Sequence, residues 1–429
     1  MSGETGQGRD SSSARQLGRT AASRTLRIGL AGSLALIVTT AAVGALLTAR
    51  TVDATVKRPR ASLTPRRAAV QPPDAYAGRV GVAVSYDLYQ SPVTQIQGGL
   101  AQLHAGGVSW IREDLTWAVA EPEPEVFDWA PFDRLLKAAA LARVHVLGIL
   151  DYSAPWASSD PTRDGNAFYP PKSDADFASY AAAVISRYGR TGTFWAENPQ
   201  LTPDPLTALE VWNEPYESWD WKPRPDPVAY AALASQAARA IHAVDPHSVV
   251  LMAADLASWD NGNPPHRHSW LDSLLATDPE LARLVNAIAV HPYPAPLNLG
   301  PNYRGPHLKA SFGRVALIRQ AELAAGVRLP IWITEIGWST APDTPQAVSE
   351  RRQAMYLQDA TRRSLGPWGS YVSRIFLFGW FRSSGRRGDL AGNYGLLDPT
   401  GVPKRAWRAI AHLLGGKPGG RNPDVPADT

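Results

Sequence analysis

PFDRLLKAAALARVHVLGIL, residues 131–150, sets an Ala/Leu-rich helical pattern, Pro131 to Arg143, directly against a short apolar β-rich run, Val144 to Leu150. The same alternation recurs from residue 80 onward, and it is the signature of repeated βα units around a parallel sheet. The strand runs are Val80 to Ser85, Trp110 to Glu113, Val144 to Leu150, Ala208 to Trp212, Val249 to Ala253, Ala287 to Val290, Ile331 to Thr334 and Arg374 to Phe378, eight in all. Between them lie further helical patterns at Asp174 to Tyr188, Pro227 to Val244, Leu308 to Ala325 and Glu350 to Leu365. Eight parallel strands with intervening helices close into a (β/α)8 barrel, whose chemistry sits at the C-terminal ends of its strands. A doubly wound open sheet would want a Gly-rich phosphate turn after its first strand, and Val84-Ser85-Tyr86-Asp87 offers none. No solenoid-type repeat is present. The expected fold class is therefore α/β: a (β/α)8 TIM barrel over residues 76–414, preceded by an N-terminal transmembrane segment.

The flanks have other compositions. Residues 1–27 are rich in Ser, Gly and Arg without apolar periodicity, and read as a disordered basic tail. From Ile28 to Ala49 run 22 residues without a charge, bounded by Arg24, Arg27 and Arg50. At a rise of about 1.5 Å per residue that length spans a bilayer core of about 30 Å. The segment has no polar face, which disfavours a buried soluble helix. A cleaved signal peptide, with Val52-Asp53-Ala54 as its processing site, remains the rival to an anchor. Residues 50–75 are Pro- and Arg-rich and read as an extended linker, and 415–429 as a Gly/Pro-rich disordered tail.

The chain has 429 residues, 44% of them apolar and 19% charged, so core-forming material is ample. Its net charge of +4 is misleading, because residues 1–75 hold 11 Lys/Arg against 4 Asp/Glu while the remainder holds 32 against 35. The barrel region is thus slightly acidic, and a nucleic-acid partner is not expected. The absence of Cys removes disulfides, thiolate metal sites and cysteine nucleophiles. Fifteen Trp exceed ordinary core needs and suggest a ligand with apolar faces, sugars among them.

Strand four ends Val211-Trp212-Asn213-Glu214-Pro215, and strand seven runs Trp332-Ile333-Thr334-Glu335-Ile336-Gly337-Trp338. Each apolar run would carry its Glu to the barrel mouth, where strands four and seven face each other. Two convergent carboxyls suit glycoside hydrolysis, one protonating the leaving oxygen and one acting at the anomeric carbon. Either Glu alone would be read as a solvated loop residue, since Glu is normally exposed.

Together with His291-Pro292-Tyr293 after the sixth strand, these motifs resemble the (β/α)8 clan of retaining glycoside hydrolases that includes cellulases and xylosidases, over roughly residues 78–412. Phe127-Asp128-Trp129 and Trp332 to Thr340 are most similar to glycoside hydrolase family 39, and more loosely to family 5. The resemblance implies Glu214 as acid/base, Glu335 as nucleophile and Asn213 as the group that holds the sugar 2-hydroxyl. It likewise implies Arg112 as a cation beside the nucleophile and Trp380 as a sugar platform. Family 5 enzymes usually carry a His at the third strand's end, where this chain has Asp151-Tyr152, a departure from the cellulase pattern.

Chemistry supports several of these positions. A positive neighbour keeps a carboxylate ionised, although Arg112 could instead pair with Glu113 or Asp114. His291 and Tyr293 can both donate to a carboxylate or sugar hydroxyl. Asp151 and Tyr152 end strand three, where substrate-contacting groups sit, whereas Trp117, Trp156 and Trp338 are equally readable as platform or core. His266-Arg267-His268 lacks a third ligand at metal spacing, so no metal and no cofactor are expected. The expected partner is a carbohydrate, with the barrel outside the cytoplasm on a membrane anchor, or secreted if the segment is cleaved. A non-catalytic polysaccharide receptor and a transglycosidase are the alternative functions.

Overall fold

The computed structural model describes residues 73–84, 88–259, 268–380 and 385–422. The expected tail 1–27, the apolar span 28–49, nearly all of the linker, His266-Arg267 and residues 423–429 lie outside the described residues. Among those described, no helix is long and apolar enough to cross a membrane.

Eight parallel strands close into a barrel: β1 (Val80–Ala83), β2 (Trp110–Thr116), β3 (His145–Asp151), β4 (Ala208–Val211), β5 (Val249–Ala253), β6 (Ala287–Val290), β7 (Ile331–Ile336) and β8 (Val372–Phe378). Closure is made by β8 against β1, with Val80 opposite Ile375 and Ala83 opposite Phe378. Helices α1 (Val93–Ala105), α2 (Ala130–Ala142), α3 (Asp174–Tyr188), α4 (Pro227–Val244), α5 (Trp270–Thr277), α6 (Arg314–Ala324), α7 (Glu350–Leu365) and α8 (Arg405–Leu413) follow the strands in turn. All eight strands thus fall on the apolar runs of the sequence, most of them displaced by a few residues at the ends.

Local chemistry fixes the helix starts. Ser173, Asp226 and Ser349 accept backbone N–H groups at the beginnings of α3, α4 and α7, satisfying donors that have no partner within the helix. Pro131 and Pro227 occupy first-turn positions, where a missing N–H costs nothing. The continuous helix expected over 308–325 is instead a 3-10 turn, Leu308–Ala310, followed by α6. Ser311 breaks it by accepting from Gly313 N at 3.1 Å while donating to Leu308 O at 2.9 Å, a local alternative to the helical ladder.

Side chains alternate along each strand, so one set fills the barrel and the other packs on the helices. The inner set includes Trp110, Leu147, Ala208, Leu251, Ala289, Trp332 and Phe376. Near the start of the strands Arg374 lies over the rings of Trp110 and Trp332, at 4.5 and 4.2 Å, and plugs that end of the barrel. Polar side chains are therefore found one step further along, at Arg112, Glu210, Thr334 and His291.

One boundary differs from expectation. Where the sequence predicts a disordered tail from 415, residues 415–422 form a packed strap between α8 and α1. Lys417 N donates to Ala105 O at 2.7 Å, and Trp407 Nε1 and Gln102 Nε2 both donate to Pro418 O. Backbone satisfaction by neighbouring elements thus outweighs a composition that lacks core-forming side chains. The contact is close at Gly106, where an added Cβ would lie 2.2 Å from Cζ2 of Trp407. Trp407 cannot retreat, since it is fully buried edge-on to Trp380 with ring centroids 4.8 Å apart. Gly106→Ala is expected to cost about 1–3 kcal/mol, read as a lower midpoint in urea unfolding. A chain ending at residue 414 should lose stability as well, and unchanged midpoints for both would show that the strap is not part of the fold's support.

Candidate active site

At the mouth the two glutamates converge, although strand parity predicts otherwise. On β7 the inward positions are Trp332 and Thr334, so Glu335 would point outward to the helices. The pairing with β8 shows how it does not: β8 advances two residues, from Ile375 to Leu377, while β7 advances three, from Ile333 to Ile336. The extra residue is a bulge, which re-aims a side chain without ending the strand. Thr334 and Glu335 consequently both reach the interior.

At β4 the device is backbone strain. Trp212 and Glu214 take left-handed conformations, with φ of 62° and 40°, unusual for residues carrying a Cβ. Glu217 N donates to Glu214 O at 2.8 Å and closes the turn, while Trp212 Nε1 donates to Asp220 O at 2.7 Å. Strain of this kind persists only where surroundings over-determine it, and it concentrates at functional sites.

Carboxyl oxygens of Glu214 and Glu335 and a ring nitrogen of His291 all lie within 4.8 Å of one another. Arg112, on β2, donates to Glu335 Oε1 at 2.5 Å and to Glu210 Oε2 at 2.8 Å, and its second terminal nitrogen reaches Asn213 Oδ1 at 2.8 Å. Tyr293 donates to Glu335 Oε2 at 2.9 Å, so both oxygens of that carboxyl are held. His291 Nδ1 lies 2.8 Å from Glu214 Oε1, and its Nε2 lies 3.0 Å from Thr334 Oγ1. Thr334 in turn donates to Glu210 Oε1 at 3.3 Å.

These contacts set the charges. Burial opposes ionisation of Glu210, but Arg112 and the His291 ring 3.7 Å away overcome it and hold its carboxyl down at about 2. Burial likewise disfavours a charged His291, yet Glu335, Glu210 and Glu214 outweigh both burial and Arg112 and raise it to about 10. For Arg112 the attraction of Glu210 and Glu335 overcomes desolvation and raises it. Among the described residues Glu214, His291 and Glu335 are the only grouping with metal-ligand spacing. Arg112, bonded to Glu335 at 2.5 Å, already engages one of these carboxyls and would repel a dication placed there.

Asn213 Nδ2 donates to Tyr152 Oη and Asp220 Oδ2, both at 3.2 Å, while Tyr152 donates to Asp220 Oδ1 at 3.2 Å. This triangle fixes the Asn213 amide beside Glu214. Burial and the nearby Glu214 push Asp220 well above the usual carboxylate range, against the Tyr152 hydrogen bond. Glu217, half-buried in the same turn, is pushed up to about 8 by burial and by Glu214. Asp151 is buried at the end of β3 beneath this group.

Placement differs most for the aromatic residues. Trp380, expected as a sugar platform, has no exposed face, because its ring is enclosed edge-on to Trp407. Trp117 and Trp338 are core, their indole N–H groups bonded to Glu121 and to Leu299 O, whereas Trp156 is half-buried. The aromatic wall nearest Glu335 is Tyr293, Phe378 and Tyr394, with centroids 5.5 to 6.1 Å apart. Phe378 shares strand parity with the inward Phe376, and that alternation is the signal that could have found it. Glu210 was equally visible, as a charge inside the apolar run Ala208 to Trp212. Asp220 and Tyr394 lie in loops, where no periodicity points to them.

No protein-family model matches the chain, and no curated protein matches it. Solved structures do share its fold. A family 39 glycoside hydrolase from Bacteroides cellulosilyticus is 20% identical with a TM-score of 0.56, over 78% of this chain and 63% of its own. A monomeric β-xylosidase from Caulobacter crescentus is 21% identical, also with a TM-score of 0.56, over 78% and 67%. An intracellular xylanase from Thermoanaerobacterium saccharolyticum is 14% identical with a TM-score of 0.51, over 79% and 97%. The chain thus spans only about two thirds of the length of the first two.

If Arg112 is the charge that Glu210 needs, Arg112→Met should cost about 3–5 kcal/mol, because it leaves an acceptor-only carboxylate buried. Adding Glu210→Gln should recover part of that loss in denaturant unfolding. A double-variant loss equal to the sum of the two single losses would show the two side chains to be energetically independent.

Proposed function

We propose that this protein is a retaining glycoside hydrolase acting on a β-linked polysaccharide or oligosaccharide, with Glu214 as acid/base and Glu335 as nucleophile. The observation that carries the reading is the approach of the two carboxyls to within 4.8 Å. Retaining enzymes separate them by about 5–5.5 Å, whereas inverting enzymes leave about 6.5–9.5 Å for an attacking water. The folds it resembles include those of a family 39 glycoside hydrolase, a β-xylosidase and a xylanase, which makes β-xylosides the first substrates to test.

In the first step Glu335 attacks the anomeric carbon while Glu214 gives its proton to the departing oxygen. In the second, Glu214 takes a proton from water as that water displaces Glu335. Arg112 and Tyr293 hold the Glu335 oxygens before attack and when one becomes an ester, which lowers the reorganisation each step needs. The Asn213 amide, fixed by Tyr152 and Asp220, is placed to contact a hydroxyl of the bound sugar.

The two roles separate by rescue. Glu335→Ala should lose turnover, by a factor of about 10⁴ or more, and regain it with azide as a glycosyl azide of inverted configuration. Glu214→Ala should spare aryl glycosides with good leaving groups, and azide should then give the retained product. Full activity in both variants would defeat the assignment.

We further place the barrel outside the cytoplasm, held by residues 28–49, because polymeric glycans are met there. External protease acting on intact cells should cut within residues 57–73 and release the folded barrel. Cleavage only after lysis would put the barrel inside, and a mature chain beginning near Thr55 would mark the segment as a cleaved signal.

A further inference from the structure

We propose that Glu210 and Thr334 are positioning residues that keep His291 doubly protonated, and that His291 thereby fixes on which oxygen Glu214 carries its catalytic proton. The kinetic consequence rests on the hydrolase reading, whereas the hydrogen-bond directions rest on the donors, acceptors and charges around the ring.

Thr334 has one hydroxyl proton and two neighbours for it, Glu210 Oε1 at 3.3 Å and His291 Nε2 at 3.0 Å. Glu210 can only accept, being a buried carboxylate already bound by Arg112 through both oxygens. The reverse assignment, Thr334 donating to a bare Nε2 while Nδ1–H faces Glu214, would leave a neutral ring among the carboxyl groups of Glu210, Glu214 and Glu335, which favour a charged one. The Thr334 proton therefore goes to Glu210, and its lone pair accepts from Nε2–H. The remaining question is Nδ1, 2.8 Å from Glu214 Oε1.

Two arrangements are conceivable. With a neutral ring, bare Nδ1 must accept, and Glu214 would have to spend its proton on Oε1, turned away from a substrate. With an imidazolium, Nδ1–H donates, Oε1 accepts, and the proton of Glu214 belongs on Oε2. The charges facing the ring favour the second: Glu214 and Glu210 on or just past β4 and Glu335 on β7, against Arg112 on β2. The proton passed to the leaving oxygen in the first step then comes from Oε2, and the one taken from water in the second returns there. His291 keeps both of its protons throughout.

The test uses the full-length chain labelled with ¹⁵N-histidine, the nine histidines being sorted by His291→Gln. Both ring nitrogens of His291 should report attached hydrogens at neutral pH and remain so to about pH 9. Thr334→Val removes the acceptor of Nε2 and should lower the His291 titration by about one unit or more. The alkaline limb of kcat/KM should move down with it, because deprotonated His291 draws the Glu214 proton to Oε1. Turnover of substrates with poor leaving groups should fall about 10- to 100-fold, with a smaller loss for good leaving groups and little change in KM. Thr334→Ser should restore both the titration and the limb, and Glu210→Gln should repeat the effect of the Val variant where it folds.

A bare ring nitrogen on wild-type His291 at neutral pH would overturn the proposal. An unmoved titration in Thr334→Val would do the same, and a moved titration with an unmoved alkaline limb would sever the link to Glu214. Absence of wild-type turnover on every glycoside would count against the hydrolase reading, and the nitrogen signals decide the protonation of His291 independently of it.

Discussion

The guanidinium of Arg112 is the contact on which the site depends. It is almost wholly buried, yet it joins three strands that are not all neighbours: its own β2, β4 through Glu210, and β7 through Glu335. Only closure of the sheet brings those strands around one point, so the interaction exists in the barrel and in no part of it. A planar fork with five donors serves three acceptors at once, which an ammonium could not do with the same geometry. Because a buried cation without partners costs more than its pairs return, the cluster specifies an arrangement more than it adds stability. Stability comes from the apolar layers beneath it and from the helices outside.

Bringing two glutamates to one point required departures from regular structure. The bulge on β7 lets successive residues, Thr334 and Glu335, both serve the interior, one as a bridge to Glu210 and one held by Arg112 and Tyr293. On β4 the left-handed turns at Trp212 and Glu214 cost about 1–3 kcal/mol each, and the fully buried Trp212 ring with its hydrogen bond to Asp220 O holds the first of them. Rigid surroundings are what make such geometry repeatable from molecule to molecule, and a pair of carboxyls needs that more than a binding surface does.

The barrel was legible because its signal is additive: eight apolar runs and their intervening helical patterns each vote for the same architecture. The strand-end residues Glu214, Glu335, Asn213, His291 and Tyr293 were legible because a parallel barrel delivers whatever follows its strands to one face. Three things were not legible. Parity alone would have sent Glu335 outward, and no residue in Ile333-Thr334-Glu335-Ile336 announces a bulge. The count of Trp did not translate into sugar platforms, since Trp117, Trp338 and Trp380 satisfy the core, and a large ring adds as much to packing as to binding. The packed strap at 415–422 was invisible because its hydrogen bonds run through the backbone, which composition does not reveal.

The charges of the inner polar layer complete the picture. In the resting state of the proposed reaction, Arg112 and protonated His291 stand against Glu210 and the nucleophile Glu335, two cations for two anions, and Glu214 is the remaining member. In the proposed reaction its proton leaves as Glu335 becomes an ester and returns as that ester is cleaved, so the cluster is balanced at both ends of each step and carries one excess negative charge only between them. The excess arises when the substrate has become positively charged at the anomeric centre, and the two changes offset each other across a few ångströms of low dielectric. Without Glu210 the same layer would begin with a surplus cation, and loss of the Glu214 proton would leave the layer neutral where a net negative charge is needed. A carboxylate outside the proposed catalytic pair thus sets the electrostatic starting point for both of its members.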